Sequence, residues 1–137
     1  MKLFAIAAVL IAAFTSTGIK AQSLDVRANI PFAFRVGQVQ MPAGEYVIHE
    51  PQPGVLQLRE AGGRHAVMTT QIVGKLRTNL LDTGEVEFHR YGGTYFLAEV
   101  WRAASDTGIV LVKSPRETEL ARQFGFSQRA RIALERK

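Results

Sequence analysis

Short turns of glycine and proline recur about every ten residues along most of this chain, and they limit its possible folds more than any other feature. The turns occupy residues 41–44 (MPAG), 51–54 (PQPG), 61–64 (AGGR), 92–93 (GG) and 105–108 (SDTG). The segments between them have the length of strands and are short for helices. The spacing therefore predicts an all-β domain, either a sandwich or a partly open barrel of about eight short antiparallel strands, with one short helix near the C-terminus.

The clearest strand pattern covers residues 25–36, where apolar and polar side chains alternate with the period of a half-buried strand. The apolar positions are Val26, Ala28, Ile30, Phe32, Phe34 and Val36. Pro31 has no amide hydrogen, so it favours an edge position or a local bulge. Further strands are predicted over residues 45–50, 55–59, 65–73, 85–91, 94–102, 109–112 and 129–135. A charged helical tail is the alternative for the last of these. Residues 74–84 have no clear period and are predicted to form the longest loop, with room for a short strand at its centre.

One helix start is well marked near the C-terminus. Ser114 is placed as N-cap, Pro115 as the first helical residue and Glu117 as the third, which together form a capping box. The helix is expected to end just before Gly125. Its apolar side chains at positions 120 and 124 share one face, because they are four residues apart.

The hairpin around Gly92-Gly93 allows a prediction of strand register. A loop of these two residues would place Phe88 opposite Leu97 and would mix apolar and charged side chains on both faces. A three-residue loop, 91–93, would place Phe88 opposite Phe96 and make one face apolar. The pattern therefore favours the three-residue loop. The predicted core positions are Val86, Phe88, Phe96, Ala98 and Val100.

The second face of this hairpin is the candidate ligand surface. It would hold Leu97 and Trp101, which are large and apolar, and the plain expectation is that Leu120 and Phe124 of the helix cover them. An uncovered apolar face would instead indicate a binding surface. The candidate ligand-binding residues on or beside this face are His89, Tyr95, Glu99 and Trp101.

The N-terminus has the three parts of a secretory signal peptide. Met1-Lys2 is positively charged, residues 3–14 are an unbroken apolar run, and residues 15–18 are small and polar. The run is shorter than the roughly 20 apolar residues that span a membrane. We predict a signal peptide over residues 1–21, cleaved after Ala21, with cleavage after Gly18 as the alternative. The mature protein would be periplasmic or extracellular and would not span a membrane.

The mature chain, residues 22–137, is predicted to form a single domain. It contains no cysteine, which excludes disulfides, thiol chemistry and cysteine-bound metals. Removal of Lys2 and Lys20 from the 17 basic residues leaves 15 against 12 acidic ones, a net charge of +3. These charges are spread along the chain, and together with the predicted export they argue against a nucleic-acid partner.

Three segments together resemble a family of small, uncharacterised exported bacterial proteins. They are residues 30–37 (IPFAFRVG), 41–46 (MPAGEY) and 88–97 (FHRYGGTYFL). In that family a PF-x-F-x-VG strand precedes a PAGEY turn and a later YFL hairpin. The resemblance implies the fold and an exported location, and it brings no activity with it.

The tripeptide Asp-Thr-Gly occurs twice, at residues 82–84 and 106–108, and is the sharpest hint of an enzyme. Aspartic proteases place two such carboxylates around one shared proton. Asp82 and Asp106 are too close in sequence for a lobe to lie between them, and aspartate with glycine is also a common turn pair. We therefore interpret both as turn residues, and a hydrolase using Asp82 or Asp106 is the alternative function.

The remaining polar residues do not form a recognisable catalytic or metal motif. His49, His65 and His89 are far apart in sequence, so no metal site, cofactor or catalytic residue is predicted. The leading hypothesis is an exported, non-catalytic binding or structural module of the bacterial cell envelope. Its partner would be an unknown envelope protein or glycan.

Overall fold

A computed structural model describes residues 25–135, so the predicted signal peptide and its cleavage site lie outside the described residues. The first seven strands are β1 (Asp25–Ile30), β2 (Phe34–Val36), β3 (Val39–Met41), β4 (Gly44–Gln52), β5 (Val55–Glu60), β6 (Ala66–Thr69) and β7 (Ile72–Leu76). They are followed by β8 (Glu85–Tyr91), β9 (Thr94–Trp101), β10 (Thr107–Leu111), the helix α1 (Pro115–Phe124) and β11 (Gln128–Ala133). The C-terminal segment is therefore a strand and not a helical tail.

The strands form two open sheets that enclose one core, which confirms the predicted all-β class and favours the sandwich over a closed barrel. The first sheet has the order β1-β4-β5-β6, and the second has the order β11-β8-β9-β10-β7. The hairpin of β2 and β3 joins the second sheet through a short parallel pairing of β2 with β9. Both sheets contribute buried side chains to the core, including Ile30, Tyr46, Ile48, Leu56 and Leu58 from the first and Val86, Phe88, Leu97, Val100 and Leu111 from the second.

Eleven strands are present among the described residues where about eight were expected, because the chain changes sheet within two of the predicted strands and because β3 was not predicted. Residues 25–36 divide at Pro31 into β1 in the first sheet and β2 in the second. Residues 65–73 divide in the same way into β6 and β7. The alternation of buried and exposed side chains continues past Pro31, from β1 to β2, because both sheets face the same core. Ala28, Ile30, Phe34 and Val36 are all buried.

The turn before β4 is fixed by a buried tyrosine. The Tyr46 hydroxyl donates a hydrogen bond to the carbonyl oxygen of Pro42, four residues earlier. Its ring meets Phe34 edge-on, with centroids 5.1 Å apart. Burial, and secondarily the nearby Glu60 carboxylate, raise the pKa of Tyr46 to about 12. The neutral phenol is therefore part of the folded core at physiological pH.

The predicted register of the β8–β9 hairpin is wrong. Tyr91 pairs with Thr94, so the loop is Gly92-Gly93 alone, and Phe88 pairs with Leu97. A β-bulge then inserts Ala98 as an extra residue, after which Glu87 pairs with Glu99. The five predicted core residues are all buried. Phe96, however, lies on the opposite face, under the helix, while Leu97 lies in the main core.

The helix has the predicted caps but covers different residues. The Ser114 hydroxyl accepts a hydrogen bond from the Glu117 amide, and the helix ends at Gly125 in the left-handed conformation. Leu120 packs on Tyr91 and Phe96. The expectation that Leu120 and Phe124 cover Leu97 and Trp101 is wrong, because the bulge moves Leu97 into the main core. Both faces of β9 are consequently apolar near the hairpin loop, so the apolar pattern could not select the register.

Candidate binding surface

Trp101, the largest of the four candidate ligand residues, is fully buried on the outer side of the second sheet. The Arg77 guanidinium lies 3.9 Å from the centroid of its ring. A Cβ atom on Gly108 would come within 2.5 Å of the indole, so the close approach of β10 requires glycine there. The indole Nε1 donates a hydrogen bond of 2.7 Å to Glu99. The indole is thus enclosed by the protein's own residues.

Glu99 links Trp101 to the edge strand β7. Its carboxylate accepts a hydrogen bond of 2.9 Å from the Lys75 ammonium. Burial alone would raise the pKa of Glu99, but the hydrogen bonds from Lys75 and Trp101 outweigh it, so the pKa is lowered. The ion pair therefore neutralises the charge of Lys75 and ties β7 to β9.

His89 and Tyr95 lie in two other places. His89 Nδ1 is 3.5 Å from Glu117 of the helix, whose carboxylate also accepts a hydrogen bond of 3.2 Å from the Tyr91 hydroxyl. Burial and then Glu117 raise the pKa of Tyr91. Tyr95 stacks on Phe32, with ring centroids 3.8 Å apart. The structure therefore brings Glu99 and Trp101 together and separates them from His89 and from Tyr95.

The outer face of β8 carries acidic side chains that are paired with arginines of β11. The Glu87 carboxylate is almost fully buried and lies 3.2 Å from Arg129 and 3.9 Å from Arg131. Glu85 lies 3.8 Å from Arg77 and 3.9 Å from Arg131. Within residues 25–135, no group of histidine, aspartate and glutamate side chains is arranged to hold a metal ion. These carboxylates join strands to one another.

The turns that contain Asp82 and Asp106 lie next to each other. A hydrogen bond of 2.8 Å from the Ala104 amide to the Leu81 carbonyl joins the segments that precede them. Both Asp82 and Asp106 have exposed side chains. Asp106 borders an open cavity of about 670 Å³ that Asp82 does not line. A shared-proton pair requires the two carboxylates to face each other closely, whereas both side chains here are exposed.

The two lateral sides of the sandwich differ in how their strand edges are protected. On one side, the segment that follows β11 is joined to β1 by a hydrogen bond of 2.9 Å from the Glu135 amide to the Arg27 carbonyl. The preceding residue, Leu134, is buried in the main core. We call this the closed side. On the other side, β6 and β7 each pair with only one strand among the described residues. We call this the open side.

Aliphatic side chains are exposed along the open side. Met68 of β6 is 58% exposed and Leu76 of β7 is 74% exposed. Val39, Val73 and Val112 are also exposed. A groove of about 340 Å³ runs between β6, the β2–β3 hairpin and the end of β10, and we call it the edge groove. Its walls include Val39, Val67, Met68, Leu111 and Val112.

The sequence pattern does not predict the open side, because this side depends on the order of strands in the sheets. Residues 74–76 belong to β7, although they fall in the segment predicted as a loop. The alternation of Ile72, Gly74 and Leu76 on one face is a weak signal, since the glycine interrupts it. Nothing local in the sequence shows that β6 and β7 are the last strands of their sheets.

Comparisons with known proteins give no functional information about this chain, so a function has to be argued from its fold and its surfaces. Searches against protein-family models, curated proteins and solved structures found no match to this chain. Among residues 25–135, no helix has the length and hydropathy needed to cross a membrane.

Proposed function

We propose that this protein is an exported, non-catalytic module of the bacterial cell envelope that binds an extended, apolar segment of another envelope protein in the edge groove. The observation that carries this proposal is the unpaired edge of β6 beside an aliphatic groove. Sheet edges of this kind accept an added strand, whose main chain supplies hydrogen bonds and whose alternate side chains enter the neighbouring pocket.

The main-chain directions of β6 support strand addition. The Glu60 amide donates to the His65 carbonyl, so residues 65, 67 and 69 turn their main-chain groups toward β5. Ala66 and Met68 therefore direct their amide and carbonyl groups away from the sheet. The Met68 side chain also lines the edge groove. One strand can consequently offer hydrogen bonds and an apolar contact to the same ligand.

The groove chemistry favours a polypeptide over a glycan. Its described walls are mostly aliphatic, with several uncharged polar residues and Lys113 as the one charged residue among them. Sugar sites typically need aromatic platforms, and none of these lining residues is aromatic. An exposed aliphatic groove on a single chain instead indicates contact with another protein.

A cross-linking and capture experiment tests the groove. The mature protein, residues 22–137, is used as bait in a native envelope extract, beside the variants Met68→Glu and Leu80→Glu. Leu80 is an exposed leucine outside the groove, so it controls for added charge on an apolar surface. We expect one protein that is captured by the wild type and Leu80→Glu and is at least tenfold depleted with Met68→Glu. Equal capture of this protein by all three baits would contradict the proposal. So would a result in which Met68→Glu loses a captured glycan and not a captured protein.

Export is tested separately on protein recovered outside the cytoplasm. The signal-peptide pattern and the family resemblance support it, and N-terminal sequencing should give Gln22, or Ile19 if cleavage follows Gly18. Recovery of exported protein that retains Met1 would be inconsistent with a cleaved signal.

A further inference from the structure

We infer that the free edge of β7 pairs with the β7 strand of a second copy of this chain, antiparallel and centred on Gly74. This goes beyond the proposed function, because it concerns a different strand, in the other sheet, and a different occupant. The inference rests on the direction of the main-chain groups, the side chains that would meet, and the charge that β7 carries.

The main-chain groups of β7 are arranged for this pairing. The Val112 amide donates to the Gln71 carbonyl, and the Arg77 amide donates to the Asp106 carbonyl. The odd-numbered residues of β7 therefore face β10, following the observed register. Ile72, Gly74 and Leu76 direct their amide and carbonyl groups to the free edge.

A two-fold axis at Gly74 matches these free groups to themselves. Gly74 would oppose Gly74 of the second copy, and Ile72 would oppose its Leu76. The amide and carbonyl groups of all these residues point to the free edge, so each opposed pair can exchange two hydrogen bonds. A shift of one residue would oppose residues whose main-chain groups point to the free edge with residues whose main-chain groups point to β10. The hydrogen bonds between the two copies would then be lost.

The side chains select the same register. Leu76, the most exposed large apolar residue in the described part of the chain, would be covered by Ile72 of the second copy. Val73 would meet the aliphatic stem of Lys75. A shift of two residues in one direction would instead place Lys75 directly opposite Lys75, and opposed like charges are destabilising. A shift of two residues in the other direction would place Leu76 opposite Thr70, outside β7, so the centred register has the most main-chain bonds.

β7 has few of the features that prevent strand edges from pairing. It contains no proline, and its register with β10 has no bulge. Its one charge, on Lys75, is held by Glu99 at 2.9 Å. The β11 edge carries two basic residues, Arg129 and Arg131, which like Lys75 are more than half exposed and lie near carboxylates, so β7 differs in carrying one charge and not two. Charged residues on an edge are the usual protection against pairing with a second copy.

A single cysteine provides a direct test, because the chain has no other. A Cβ atom at Gly74 would meet nothing within 4 Å, so Gly74→Cys fits the folded monomer. Hydrogen-bonded antiparallel pairs have Cα atoms about 5.5 Å apart, which is within the range of a disulfide. Under mild oxidation, we expect Gly74→Cys to form a disulfide-linked dimer at least tenfold faster than the control Leu80→Cys. Equal rates would overturn the inference.

Sedimentation velocity of the otherwise unmodified mature protein supplies the second measurement. The wild type and Leu80→Lys should show the same concentration-dependent dimer, and Leu76→Lys should remain monomeric. A monomer at every concentration for the wild type would also overturn the inference. Loss of dimer without loss of the captured envelope protein in Leu76→Lys separates this site from the edge groove, whereas Met68→Glu tests the groove alone.

Discussion

The two lateral sides of this sandwich have the same kind of strand edge but opposite chemistry. On the closed side, main-chain bonds from residues 134 and 135 reach Gly84 and Arg27, and arginine side chains cover the outer strand. On the open side, the edges of β6 and β7 present aliphatic side chains, and no strand within residues 25–135 pairs with them there. Natural proteins protect edges that must not pair. The difference therefore indicates which side of the molecule is available to a partner.

The largest expected effect is on stability at the closed side. Leu134 is buried, so Leu134→Ala should lower the free energy of unfolding by about 3 kcal/mol. Leu76→Ala on the open side removes a side chain of the same size that is mostly exposed, and it should change the free energy by less than about 0.5 kcal/mol. Urea unfolding of both variants, at a concentration at which the chain is monomeric, measures the difference. Equal losses would show that the open side is already covered within one chain.

Alkaline pH should destabilise the body of the sandwich that both sides share. The folded pKa of Tyr46 is about 12, above the ordinary value of 10. The unfolded state therefore loses its proton first, and stability falls as pH rises from about 10 toward 12. Each pKa unit corresponds to about 1.4 kcal/mol, so the loss should be on the order of 2 kcal/mol. Tyr91, whose pKa is also raised, should add to it.

Tyr46→Phe is the matched variant for the alkaline titration. It removes the titrating group and the hydrogen bond to Pro42 but keeps the buried ring. It should be less stable than the wild type at neutral pH and should lose less stability between pH 10 and 12. Parallel stability curves for the two proteins would show that Tyr46 does not carry the pH dependence.

Acid should loosen the open side through Glu99. Its pKa is lowered in the folded state, so its stabilising contribution is present above the unfolded value and is lost as pH falls through the folded value. Protonation would release Lys75 from β9. Glu99→Gln should mimic this at neutral pH and cost about 1 kcal/mol. Hydrogen exchange should then speed up in β7 more than in β11, and uniform acceleration would argue against a local effect.

Local signals in the sequence predicted the parts of the fold that depend on neighbouring residues. The helix caps at Ser114 and Gly125 follow from spacing alone, and the alternation from Val26 to Val36 correctly marked one buried face. The hairpin register failed because Ala98 forms a bulge and the helix buries the opposite face of β9. Both depend on contacts that are distant in sequence.

The candidate surface was harder to predict for the same reason. Lys75 and Glu99 are 24 residues apart, and their ion pair is what neutralises the edge of β7. The edge groove joins residues from β2–β3, β6 and β10, which no short pattern connects. Sheet order, and not residue type, decides which aliphatic side chains stay exposed.

The smallest effect is expected at Asp82 and Asp106, which are exposed without belonging to an apolar edge. The hydrogen bonds next to them use main-chain atoms of Leu81, Ala104 and Asp106, so replacing the carboxylates leaves those bonds intact. Asp82→Asn and Asp106→Asn, alone or combined, should each change the free energy of unfolding by less than about 0.5 kcal/mol. They should also leave dimer formation and partner capture unchanged. Cleavage of a generic protein substrate at acid pH, lost with Asp82→Asn, would instead establish the hydrolase alternative and make the aspartate turns, not the open side, the functional surface.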